Sequence, residues 1–148
     1  MIYCKESMHP MKGIFVFRVL DKNKKIILNV TEPNMIVNTA KDAMARLVSY
    51  GDTDKIITKF GVGNNLETAV PSDTTLSHPY INNIVNHTFP EPGTVTFQWY
   101  LDYDEAVGIY VSEFGLLTTD GTLFSRKVRD PILKTDDIAF EGEWSIIF

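Results

Sequence analysis

The sequence contains a single cysteine, Cys4, and no long basic or apolar run. One cysteine excludes an internal disulfide framework. The 14 basic residues are outnumbered by 19 acidic ones, for a net charge of −5, and no Lys/Arg run offers a track for phosphates. The sequence also contains no stretch of about 18 apolar residues, the length that a helix needs to span a bilayer. We therefore expect neither nucleic acid nor a membrane as a partner.

Patterns that bind metal ions are also scarce. The acidic residues Asp102, Asp104 and Glu105 supply the carboxylate oxygens that Ca²⁺ prefers, but the EF-hand loop pattern is missing. We interpret this cluster as a solvated hairpin tip. The histidines, which lack the short spacings of zinc sites, are His9, His78 and His87. We expect no metal and no cofactor.

Catalytic motifs are missing as well. Gly61-Val62-Gly63 superficially resembles a phosphate-binding loop, but the Lys-Ser/Thr of a P-loop does not follow it. No nucleophile elbow is present, although a Ser/His/Asp triad that converges only in space stays open at this point. The sequence thus favours a protein that is not an enzyme.

The clearest positive signal is strand-like alternation, strongest in residues 138–148. Successive side chains of a strand point to opposite faces, so a period of two separates a buried face from a wetter one. The predicted buried face comprises Ile138, Phe140, Gly142, Trp144, Ile146 and Phe148. Trp99 lies on a similar face of residues 94–101, and both tryptophans are expected in the core.

Strands and turn signals recur at regular spacing along the rest of the chain. We count about eight strands: residues 13–20, 25–31, 55–63, 80–89, 94–101, 106–117, 123–128 and 138–148. This pattern predicts a mainly β fold, an antiparallel β-sandwich or barrel, with the sandwich preferred. Residues 13–148 should form a single domain of this kind, preceded by a flexible N-terminal arm, residues 1–12. The arm lacks the apolar core of a signal peptide, which favours synthesis in a cytoplasm.

One α-helix is predicted, at residues 39–50. Thr39 should cap it, with Asp42 three residues later in a capping-box arrangement. Its apolar stripe should comprise Ala43, Met44, Leu47 and Val48. Asp42 and Arg46 are spaced to form an ion pair, and Gly51 suits the left-handed position that ends a helix. Pro33 is expected to end the preceding strand.

Residues 64–79 form a long polar loop, and loops of this length in compact domains are usually functional or mobile. We expect assembly contacts from this loop and from the arm, through Asn64, Asn65, Leu66, Met1, Ile2 and Tyr3. Glu113 falls between apolar residues, so it should be buried and need a partner. Arg126, across a predicted hairpin, is the partner we expect.

Three longer motifs occur in residues 35–148. The first is a strand of the type I-x-x-x-x-V/L-G-x-G followed by a polar loop ending in T-x-L, matched by Gly61, Gly63, Thr75 and Leu76. The second, E-x-G-L-x-x-x-D-G-x-L-x-x-R, is matched by Glu113, Gly115, Leu116, Asp120, Gly121, Leu123 and Arg126. The third, P-I-x-K-x, is matched by Pro131, Ile132 and Lys134. In these motifs the chain resembles a family of small virion proteins of tailed bacteriophages.

The resemblance implies a non-enzymatic structural subunit of the tail, collar, neck or baseplate. Its partners would be other virion proteins and copies of itself, in a ring or trimer. It would be made in the cytoplasm of a bacterial host and reside in the virion. The alternative is a receptor- or carbohydrate-binding fibre domain, which predicts an exposed groove lined by aromatic residues. A small hydrolase is disfavoured because no catalytic motif is present.

Overall fold

A computed structural model of the protein describes residues 10–148, and most of them lie in nine antiparallel strands. The elements in chain order are β1 (Lys12–Leu20), β2 (Ile26–Ile36), α1 (Asn38–Tyr50), a 3₁₀ turn (Thr53–Lys55), β3 (Ile57–Gly63), β4 (Tyr80–Asn83), β5 (Asn86–Thr88), β6 (Thr94–Leu101), β7 (Tyr110–Thr118), β8 (Leu123–Leu133) and β9 (Ala139–Ile147). The predicted mainly β, antiparallel architecture with one α-helix is confirmed.

The strands form one sheet that folds over into two layers, with the order β4-β3-β7-β8-β2-β1-β9-β6-β5. β2 is the corner, because its first part pairs with β1 while Met35 and Ile36 pair with β8. Across the interior, the rings of Phe15 and Phe17 on β1 lie 4.9 and 5.0 Å from that of Phe114 on β7. The core is therefore an aromatic layer between the two halves of a sandwich.

β9 lies inside its layer, between β1 and β6. Its predicted buried face is confirmed at Phe140, Trp144 and Ile146, each at most 1% exposed. On the outer face, Arg18 of β1 donates to the carboxylates of Glu141 and Glu143.

The end of that face differs from the prediction, because Phe148 is 51% exposed. It lies beyond Ile147, the last residue of β9.

Residues 80–89, predicted as one strand, are two short strands in different layers. β4 pairs with β3, whereas β5 pairs with β6. The switch occurs between Ile84, whose N–H donates to Thr58 O, and Val85, whose N–H donates to Gln98 O. Sequence periodicity cannot reveal a change of pairing partner, which explains the count of eight.

Pro33 does not end β2, contrary to the prediction, but pairs with Ile14 inside the ladder. Its carbonyl oxygen accepts from Lys127 Nζ at 2.9 Å, so the backbone oxygen and nitrogen of Pro33 both point away from β1. A proline nitrogen on that side removes no bond from the β1–β2 ladder. The strand therefore continues through it.

The start of the helix also differs from the prediction. α1 begins at Asn38 after Val37, and no side chain caps it. The hydroxyl of Thr39 donates instead to Leu123 O on β8, so it fastens the helix to the sheet rather than capping it.

The predicted Asp42–Arg46 pair is present at 2.9 Å, and Gly51 ends the helix at φ +66°. Val48 is 81% exposed and does not belong to the apolar stripe, while Ala40 and Ala43 are fully buried. These small side chains allow the helix to lie close to the sheet.

The predicted arm boundary at residue 12 is wrong in one detail, because Lys12 is the first residue of β1 and pairs with Ile147. The rest of the arm prediction falls mostly on residues outside the described range. Within residues 10–148, neither helical segment has the length and apolar character needed to cross a membrane.

Candidate functional site

The structure brings Glu113 and Arg126 together beneath loop 64–79. The side chains are 0% and 2% exposed, and Arg126 Nε donates to Glu113 Oε2 at 2.9 Å. Two further guanidinium nitrogens reach the loop, Nη1 to Asp73 Oδ2 at 2.8 Å and Nη2 to Glu67 O at 3.1 Å. Arg126 thus joins the sheet to the middle of the loop.

Glu113 holds the two ends of the same loop. Its Oε1 accepts from the backbone N–H of Ser77 at 2.5 Å and of Asn65 at 3.4 Å. A Cβ at Gly63 would collide with this carboxylate, so glycine is what lets the carboxylate sit against the backbone. One carboxylate therefore ties down the beginning and the end of loop 64–79.

The charge balance of this cluster keeps Arg126 ionised. Burial by itself lowers the pKa of the guanidinium, but hydrogen bonds to Asp73 and Glu113 outweigh it and raise the pKa above its ordinary value. Two carboxylates facing one guanidinium make a buried network whose members compensate one another's desolvation. Among the described residues, these two carboxylates accept from Arg126 and from backbone N–H groups of loop 64–79.

Leu76 anchors the end of the loop by packing onto two glycines. It is 8% exposed, and a Cβ on Gly115 would lie 2.8 Å from its Cδ1. At Gly61 the same methyl group would be 3.0 Å away. The absence of side chains at these positions makes room for Leu76 above the sheet. Residues from two separate motifs thus meet in one place.

The tip of loop 64–79 remains in solvent. Leu66 and Val70 are 64% and 43% exposed. Asn64 is also exposed, but Asn65 is half-buried and its carbonyl accepts from Ser112 Oγ at 2.9 Å. Of the predicted assembly residues in this loop, Asn64 and Leu66 are accessible and Asn65 serves mainly as an anchor. The other three, Met1, Ile2 and Tyr3, lie outside the described residues.

A second accessible feature is an apolar groove of about 230 Å³ at one end of the sandwich. Its lining includes Met44, Leu47, Ile57, Phe89, Val95 and Phe148. Phe89 is 74% exposed and Phe148 51%, which is unusual for phenylalanine. Among the described side chains that line it, His87 is the only polar one. Exposed apolar patches of this kind commonly mark binding surfaces.

The acidic cluster is not a hairpin tip, contrary to the prediction, because β6 pairs with β5 and β9 while β7 pairs with β3 and β8. Its Glu105 has a structural role. Glu105 Oε2 accepts from Tyr80 OH at 3.0 Å and from Asn82 Nδ2 at 2.7 Å, and its other oxygen accepts from Asp102 N–H. The hydrogen bond to Glu105 raises the pKa of Tyr80. Within residues 10–148, no three His, Cys, Asp or Glu side chains are grouped so as to hold a metal ion.

Two residues important to this architecture had no assigned role from sequence reasoning. Asp73, the third member of the ion network, looks like any polar loop residue. Lys134, which matched a motif, is fully buried, and its ammonium donates to Tyr103 O at 3.2 Å and Thr135 O at 3.0 Å. Burial lowers its pKa. The position of Lys134 at the end of an apolar run was the sequence signal for its burial. Asp73 gave no signal for its role.

Neither a protein-family model, nor a curated protein, nor a solved structure matches this chain.

Proposed function

We propose that this protein is a non-enzymatic structural subunit of a tailed bacteriophage virion, in the tail, collar, neck or baseplate. It would act by symmetric assembly with copies of itself and with other virion proteins. The observation that carries the proposal is loop 64–79, which is fastened at its base by Glu113 and Arg126 and exposes an apolar tip. The assignment to a virion rests on the motif resemblance.

The anchored loop supports an assembly role for a physical reason. Binding orders the groups that form an interface, and a segment already held in place loses less conformational entropy on docking. Leu66 and Val70 offer exposed apolar side chains that a partner could bury. Repeated use of one such head-to-tail contact by identical subunits produces a closed ring when the rotation between neighbours closes.

The alternative, a receptor- or carbohydrate-binding fibre domain, predicts an exposed aromatic groove, and the apolar groove has that shape. Its chemistry is less suitable for sugars, because only His87 among the described lining residues offers a polar side chain. Polar groups that lose water on binding need hydrogen-bond partners. Binding to a glycan array would support this alternative over assembly.

The test is a double substitution at the loop tip, Leu66→Asp with Val70→Asp, introduced into the phage that encodes the protein. The matched control is Val107→Asp, which places the same charge at an apolar residue that is 52% exposed elsewhere. We expect both variants to keep the wild-type melting temperature, because none of these side chains is buried. Quantitative mass spectrometry of purified particles should show a loss of at least tenfold for the tip variant only.

Unimpaired incorporation of the tip variant would show that loop 64–79 is not the docking surface. Purified particles that contain none of the wild-type protein would overturn the structural role itself. When the protein is found in the particles, cryo-EM of intact particles identifies the substructure that holds it.

A further inference from the structure

The apolar groove opens at the end of the sandwich where α1 lies. Met44 and Leu47 of α1 form one wall, and Val95 of β6 with Phe148 forms the other. The backbone N–H of Phe148 donates to Gly93 O at 2.9 Å, which fixes the residue at the rim. The wall formed by Phe148 is therefore fixed to the turn that precedes β6.

The described chain enters the fold between these walls. At the start of β1, Gly13 pairs with Asn34 of β2 on one side and with Ile146 of β9 on the other. β2 continues through Val37 into α1, which forms the first wall. β9 continues to Phe148, which belongs to the second. Residues 10 and 11 thus lie between the strands whose continuations form the groove.

The nine residues that precede Pro10 have suitable chemistry for this surface. Met1, Ile2 and Tyr3 are apolar or aromatic, and Lys5 and Glu6 carry opposite charges. Nine extended residues span up to about 30 Å. Neighbouring strands are about 5 Å apart, so β6 lies only about 10 Å across the sheet from β1. The segment is long enough to reach every part of the groove.

We propose that residues 1–9 fold back into the apolar groove of their own chain, with Met1, Ile2 and Tyr3 covering Phe89 and Phe148. The tether gives the segment a high effective concentration at the groove, so a modest apolar contact suffices to hold it there. This surface is separate from loop 64–79, and the inference does not depend on the proposed virion role. It replaces the assembly contacts expected of Met1, Ile2 and Tyr3 with contacts inside their own chain.

Cys4 makes a direct test possible, because it is the only cysteine in the sequence and lies within the proposed segment. A nitroxide attached to Cys4 broadens the NMR signals of nearby amides. We expect strong broadening at Leu47 and Val95, and none at the Lys22–Lys25 turn. The same label is then measured in Phe89→Ser, which removes an aromatic ring from the groove, and in Val107→Ser, a matched loss of exposed apolar surface elsewhere.

Broadening at Leu47 and Val95 should fall at least twofold in Phe89→Ser and stay unchanged in Val107→Ser. Equal broadening in all three proteins would show that the label is merely tethered nearby, and would overturn the proposal. A mixed sample tests for contacts between two chains. In it, unenriched protein that carries the nitroxide on Cys4 is combined with ¹⁵N-enriched Cys4→Ser protein that carries no nitroxide. Broadening in that sample would mean that the segment occupies the groove of a second copy, which also contradicts the proposal.

Discussion

At the scale of single residues, Arg126 connects separate parts of the molecule. It joins β8 to β7 through Glu113 and to loop 64–79 through Asp73 and Glu67. A buried guanidinium needs such partners, because an isolated buried charge is very costly. Removing one partner leaves the others uncompensated, so each member of the network depends on the rest.

A double-mutant cycle with Glu113→Gln and Arg126→Met should therefore reveal coupling. Each single change should cost about 3–5 kcal/mol of unfolding free energy, because it leaves a buried charge without its partner. The interaction energy should lie between about 0.5 and 3 kcal/mol. Urea unfolding of the four proteins measures it.

The matched control is the exposed pair Lys22–Asp137, whose side chains are 71% and 61% exposed. Its coupling should be about 0–1 kcal/mol, as for most surface ion pairs. Strict additivity at Glu113 and Arg126 would mean that the buried contact contributes nothing specific.

Lys134 predicts a particular pH dependence of stability. Burial lowers its pKa in the folded protein below the unfolded value of 10.5. Between these two pKa values the unfolded chain binds more protons, so stability rises with pH and is fully gained only above 10.5. Below the folded pKa both states are protonated and the contribution to the slope disappears.

Comparison of wild type with Lys134→Met isolates this effect, because every other titratable group is the same in the two proteins. Unfolding free energies measured by urea titration from pH 7 to pH 10.5 should rise more steeply for wild type than for the variant. Parallel curves would contradict a lowered pKa for Lys134.

At the scale of elements, β9 shows how alternation becomes stability. Trp144 is 1% exposed, and its ring lies 5.0 Å from that of Phe15 on the neighbouring strand. Trp99 of β6 lies on the other side of Gly142, where a Cβ would collide with its ring. A large side chain and a missing one thus alternate on the buried face, which lets β1, β9 and β6 share one aromatic layer.

Trp144→Ala should cost about 3–5 kcal/mol, because the cavity it leaves is surrounded by rings that cannot close it. This is a large share of the roughly 5–15 kcal/mol that stabilises a typical domain. Tyr110→Ala, at an aromatic residue that is 62% exposed, provides the control and should change stability little. Thermal unfolding of both variants checks the difference, and a Trp144→Ala protein that melts within a degree of wild type would contradict its place in the core.

At the scale of the whole molecule, the fold protects its open edges. The terminal strands of the sheet, β4 and β5, have only four and three residues, and short edges discourage pairing with other chains. Where β2 and β8 diverge at the corner, Lys127 and Arg129 bridge to Glu32 at 2.8 and 3.1 Å. Loop 64–79 and the apolar groove are thus more suitable than the strand edges for binding another segment or subunit.

The sequence by itself determined the fold class, the helix with its end at Gly51, and most of the buried face of β9, because these follow from local periodicity and from the conformations that glycine permits. It also paired Glu113 with Arg126, since a hairpin brings together residues a short distance apart in the chain. The prediction that Pro33 ends its strand was wrong, because whether a proline interrupts a strand depends on which side of the strand is paired.

Only the tertiary structure decided what depends on contacts between distant segments. It placed Asp73 against Arg126, divided residues 80–89 between two layers, and created the apolar groove from α1, β6 and Phe148. Each of these features joins residues far apart in the chain, and such pairings leave no local signature in the order of residues. They arise when the sheet folds over at β2 and brings the two layers together around their shared aromatic core.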